Sequence, residues 1–147
     1  MNTSQTARES GAANAVSLPK VVTVGGIALG LLLLIVVFQV ALALGAPFGK
    51  AAWGGQNDDV LPGRLRAASA IAGVVIYPAV IALVSSASGV IDADLVPGKG
   101  DVAMWFLATL FGLGGIANAV SRSSLERWWS PVSLTVAVCC AYIATQL

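Results

Sequence analysis

From Val21 to Leu44 the chain carries no charged residue, and at about 1.5 Å per helical residue this run is long enough to cross the ~30 Å apolar core of a bilayer. Such a segment has little choice of conformation, because in hydrocarbon its backbone N–H and C=O groups must bond to one another, which a helix alone allows within one segment. Gly45 and Pro47 then end it in the manner of a helix C-terminus. Three further apolar runs follow, at about 67–87, 102–120 and 131–146, the last being the shortest. Composition agrees with this pattern: of 147 residues 57% are apolar and 10% charged, and mean hydropathy is +0.86, whereas soluble domains carry about a quarter charged residues. The expected fold is an all-α membrane protein, a four-transmembrane-helix bundle that forms one domain over 17–147.

Residues 1–16, rich in Ser, Thr, Asn, Ala and Gly and lacking helical periodicity, read as a disordered tail. The first apolar run meets no small-residue cleavage site, so it is expected as a retained span and not a removed signal. Ser17 and Pro19 suit the cap and first turn of that span, Asp101 the start of the third, and Ser130 with Pro131 the start of the fourth. Pro78 is expected to kink the second span and to free carbonyls that a neighbouring helix or Ser85 must satisfy. Ser123 and Glu126 have capping-box spacing, which suggests a short interfacial helix leading into the last span. Trp53, Trp105, Trp128 and Trp129 fall near span ends, where amphipathic rings anchor at the headgroup level.

Several function classes are excluded or left unsupported. Histidine is absent, which removes imidazole-ligated haem or metal and a histidine base. Cys139 and Cys140 are adjacent in an apolar run and read as small buried hydrophobes, not as a redox pair. With a net charge of +1 and no basic run, nothing suggests nucleic acid. Gly45 to Lys50 resembles a phosphate-binding loop only superficially: three residues instead of four separate Gly45 from Gly49, and no Ser or Thr follows Lys50. Gly45, Gly49, Gly54 and Gly55 are instead expected to serve a compact turn that needs positive φ or close backbone approach. No charged residue falls within the four apolar runs, which counts against a proton-coupled pump. No catalytic residue, cofactor site or metal site is assigned.

Polar residues expected at depth are Gln39, Thr109, Asn118 and Thr135, in the role of interhelical hydrogen bonds. Gln39 and Asn118 both lie near the loop-rich ends of their helices and are expected together beneath the first and third loops. Small residues recur four apart at Gly26 and Gly30, Ser69 and Gly73, Ala108 and Gly112, Gly115 and Ala119, and Ala137 and Ala141, a spacing that lets helices approach closely within a chain or between copies. Four spans bring Lys50, Trp53, Arg64, Arg66, Asn118, Arg122, Glu126 and Arg127 to one membrane face. Glu126 is placed there to pair with Arg64 or Arg66. Lys50, Arg64, Arg66, Arg122 and Arg127 on that side outnumber Arg8, Lys20 and Lys99 on the other, which favours a cytoplasmic first and third loop in a multi-pass cell-membrane protein.

The motif Gly45-Ala46-Pro47-Phe48-Gly49 with Trp53-Gly54-Gly55, Leu61-Pro62 and Leu65-Arg66, followed by Asn118, Ser121-Arg122-Ser123, Glu126-Arg127 and Pro131, resembles a group of small bacterial four-span membrane proteins. Members of that group often carry Trp where this chain has Phe48. The resemblance implies a shared fold and a shared polar face; it brings no activity or substrate. The expected role is therefore a non-catalytic membrane component that binds a partner or lipid through its first and third loops, with the bilayer, a second copy or another membrane protein as partner. The alternatives are a small transporter or channel for an uncharged solute and, third, a lipid-modifying enzyme in which Asp58, Asp59 or Glu126 would be the acid or base.

Overall fold

The computed structural model describes residues 3–96 and 100–147, with side-chain surroundings from residue 19 onward. The described residues form helices and turns, without strands. Helix α1 is Thr3–Ala43, α2 is Gly63–Ala87 with one π-helical turn at Ala72–Ile76, α3 is Gly100–Ala119, α4 is the single turn Ser124–Arg127, and α5 is Trp129–Ala144. Two 3-10 turns, Gly49–Ala51 and Trp53–Gly55, lie in the first loop. Three stretches are long and apolar enough to cross a membrane: Pro19–Ala43, Gly63–Ala87 and Gly100–Ala119. The expected fourth span, α5, has 16 residues, which extend about 24 Å.

Several expectations about helix ends are corrected. Helix α1 starts at Thr3, so the backbone of 3–16 is helical where an irregular tail was expected, and Pro19 sits inside the helix instead of in its first turn. The physical reason is that no proline precedes Pro19, four alanines lie among 3–16, and a helix already nucleated by a long span gains one bond for each residue it adds. The side chains of residues 1–18, Ser17 included, lie outside the described residues. Asp101 falls in the first turn of α3, where it complements the helix dipole but does not cap. Helix α5 begins two residues before Pro131, so Ser130 is a buried helical residue and not a cap. Pro78 is accommodated by the π turn just before it, in which Tyr77 N–H bonds to Ala72 C=O. The wider turn absorbs the misfit within α2, so Ser85, two turns further on, has no part in it.

Helix α5 occupies the middle of the assembly, with α3 packed along it on one side and α1 on another, while α2 packs against α1. Half of its residues are buried. The main core joins Ala28, Leu32 and Ile35 of α1, Val80 and Val84 of α2, Met104, Leu107 and Phe111 of α3, and Val136, Cys140 and Ile143 of α5. Glycine permits the closest approaches: a Cβ on Gly115 would lie 2.7 Å from Leu134, and one on Gly73 3.2 Å from Gln39 and Val40. Gly26 and Gly30, by contrast, face open space, so their spacing serves no contact within the chain. Large apolar side chains point outward along the helices, among them Leu33 and Val37, Val74 and Val75, Phe106 and Leu113, and Val138. An apolar exterior around a core of small and aliphatic residues is what a hydrocarbon solvent permits and water disfavours.

Candidate functional site

The C-terminal ends of α1 and α3 and the N-terminal ends of α2, α4 and α5 come together at one end of the bundle, and the first loop folds over them. A small second core of Leu42, Ala52 and Leu61, with Phe38 and Leu65 against it, fixes the loop to the helix ends. Gly49 N–H donates to Asp59 C=O at 2.8 Å, and Gly49 is buried so tightly that a Cβ would meet backbone oxygens of Asn57 and Asp59. Trp53, Gly54 and Gly55 follow with φ of 55°, 83° and 64°, a left-handed stretch that two glycines adopt freely and a tryptophan does not. Trp53 is held there by its indole Nε1–H, which donates to Ser69 Oγ on α2 at 3.0 Å.

Glu126 closes this arrangement. It is 7% exposed and is the one buried charged side chain among the described residues. Gly54 N–H donates to its Oε1 at 2.8 Å, and Ser121 Oγ donates to its Oε2. Ser123 Oγ donates to Lys50 C=O and accepts from Glu126 N–H at 3.4 Å. Half of the expected capping box is therefore present: the serine caps α4, while the glutamate reaches across to the first loop instead of back to the serine backbone. The expected pairing of Glu126 with Arg64 or Arg66 is corrected for the same reason. A backbone N–H and a hydroxyl nearby already satisfy the carboxylate without bringing a guanidinium into a buried position.

The other expected site residues separate into three kinds. Arg66 Nε donates to Ala43 C=O at 3.0 Å, closing the end of α1, and Arg127 Nη1 donates to Ser121 C=O at 2.9 Å. Arg66 thus caps a carbonyl at the end of α1, while Arg127 holds a carbonyl of the third loop. Lys50 forms an exposed ion pair with Asp58 at 3.2 Å, an arrangement that contributes at most about 1 kcal/mol. Arg64 and Arg122 are exposed and make no side-chain hydrogen bond or ion pair among the described residues. Asn118 faces inward, to the cavity described next.

Beneath the loops lies a cavity of about 230 Å³. Gln39 and Asn118 both line it, as expected, and Trp53 and Glu126 form part of its loop side. Phe38, Tyr77, Trp129 and Ser133 complete its polar and aromatic walls, and none of these four was singled out from the sequence as a site residue. Trp129 was expected to anchor at the interface; it is instead half-buried against Phe38, with ring centroids 4.4 Å apart, while Trp128 beside it is 75% exposed. Helical rotation of 100° per residue separates the two neighbours, and sequence alone does not say which one faces inward. For Tyr77 a signal was present: Pro78 follows it directly, and the π turn ends beside it. Gln39 Oε1 is buried without a hydrogen-bond partner, the kind of orphaned acceptor that folded proteins seldom leave. Away from the loops the bundle is closed by Leu32, Val84, Met104, Val136 and Cys140, all 0% exposed. No grouping of Cys, Asp or Glu among the described residues is arranged to hold a metal ion.

Neither the family models nor the curated proteins nor the solved structures contain a match to this chain. The arrangement of side chains therefore carries the functional argument by itself. The groups it brings together are one carboxylate, two amides, hydroxyls and aromatic faces, with the Ser121 hydroxyl bonded to the Glu126 carboxylate.

Proposed function

We propose that this chain is a four-span integral membrane protein whose first and third loops form one binding face, and that its role is to hold an anionic partner or lipid headgroup at that face without chemistry of its own. One observation carries the reading: the Gly54 to Glu126 hydrogen bond joins two loops distant in sequence into a single surface, leaving Arg64 and Arg122 exposed at the same end. Guanidinium groups suit phosphate geometrically, and anionic headgroups attract basic residues near the membrane surface. The fourth crossing is assigned to α5 with α4 as its extension. Trp128 between them keeps helical dihedrals (φ −64°, ψ −20°), so the run from Ser124 to Ala144 reaches roughly 30 Å. The packed layer from Leu32 to Cys140 speaks against the alternative of a standing passage for neutral solutes.

The test is retention of anionic lipid. Protein purified in detergent and analysed by native mass spectrometry is expected to keep phosphatidylglycerol in preference to phosphatidylcholine, and the Arg64→Ala, Arg122→Ala double variant to lose that preference. Equal retention by the double variant and the parent would sink the lipid reading and leave a protein partner to be sought by crosslinking from the same two positions.

A further inference from the structure

The cavity beneath the loops is distinct from the basic surface above it, and its lining is selective in charge. Its one ionisable anion is Glu126, and no Lys or Arg lines it. Each carboxylate oxygen offers two lone pairs; the bonds from Gly54 and Ser121 take one on each oxygen, leaving acceptor capacity toward the cavity. The walls are the aromatic rings of Phe38, Trp53, Tyr77 and Trp129, and Gln39 adds an amide whose Oε1 lacks a donor. Aromatic faces and a carboxylate gathered in one concave site attract the same class of guest, a cation with an apolar body. An anion would meet the negative charge of Glu126 with no Lys or Arg in the lining to attract it. At about 230 Å³ the space is smaller than the ~300–1,000 Å³ of drug-sized sites, so the guest is small.

The geometry points to this cavity as a binding site for a small organic ammonium ion, held by the Glu126 carboxylate and the faces of Phe38, Tyr77 and Trp129, with Gln39 accepting a hydrogen bond from the guest. The site goes beyond the loop-face reading and does not depend on it.

Equilibrium dialysis of the whole chain in nanodiscs with radiolabelled choline tests the assignment, with dimethylbutanol, the neutral carbon isostere of choline, and acetate as competitors. Choline is expected to bind saturably, the isostere at least about tenfold more weakly, and acetate not at all. Glu126→Gln should weaken choline by about tenfold or more, and Trp129→Leu, which leaves the loop contacts of Glu126 intact, by about three- to tenfold. If Glu126→Gln does not fold, Trp129→Leu and Phe38→Leu decide the matter. Arg64→Ala with Arg122→Ala should leave choline binding unchanged, which separates failure of this site from failure of the loop face. Choline and its isostere competing equally, unchanged choline binding in the Trp129 and Phe38 variants, or the absence of saturable binding would each overturn the proposal.

Discussion

The two ends of the bundle are built differently. At the loop-rich end the decisive bonds join residues far apart in sequence: Gly54 to Glu126, Lys50 to Ser123 and Trp53 to Ser69. At the opposite end the chain between α2 and α3 is held by bonds among near neighbours. Ser88 Oγ donates to Val84 C=O at 2.7 Å, Ser86 Oγ donates to Ala93 C=O, and Leu95 N–H donates to Ser86 Oγ at 3.1 Å; Asp92 and Asp94 are exposed. A connection closed by local bonds can form wherever its helices end. One closed by bonds across the bundle requires all its helices to be in place, and a buried carboxylate at its centre makes it costly to misassemble.

The largest expected effect is all-or-none. With Cys139 and Cys140 replaced by alanine, single cysteines at Gln56 and Ser124 should react with an impermeant maleimide from the same side of intact cells, and one at Asp94 from the other. If Gln56 and Ser124 disagree, the two loops do not share a face and the contrast between the ends collapses. Next, Glu126→Ala should lower stability in detergent by about 1 to 3 kcal/mol, because it removes the acceptor of the Gly54 N–H and the Ser121 hydroxyl and opens the joint between the loops; thermal unfolding followed by circular dichroism reads this. Gly55→Ala should cost about 1 to 3 kcal/mol in the same assay, since φ is +64° and the added Cβ would fall on Ser123. Ser69→Ala removes only the acceptor of the Trp53 indole and should cost about 0.5 to 1 kcal/mol, with a change in tryptophan emission. Ser86→Ala, at the locally closed end, should stay below about 0.5 kcal/mol. A Ser86 effect as large as that of Glu126 would erase the difference between the ends.

Much of the site was legible in part. The placement of Gln39 and Asn118 on one cavity under the loops followed from counting along each helix, and the glycines at 45, 54 and 55 were recognised as turn residues because few other residues tolerate positive φ. Ser123 and Glu126 were paired correctly as the start of a helix, but the carboxylate was given the wrong partner. Opposite charges suggest ion pairs, whereas the donor that reached Glu126 was a backbone N–H, a group every non-proline residue carries and no sequence pattern marks.

Hydropathy and run length, read from the chain alone, determined the helical class, the three long apolar stretches and the positions of the main connections, because desolvating a backbone in hydrocarbon leaves no other solution. Tertiary packing decided which faces of those helices are inward. Large apolar side chains lie on the outward as well as the inward faces of these helices, so the hydrophobic pattern that orients a helix in water carries little information here. The centrality of α5, the turning of Trp129 onto Phe38 and the seating of Glu126 under Gly54 came from packing and hydrogen bonds between segments distant in sequence.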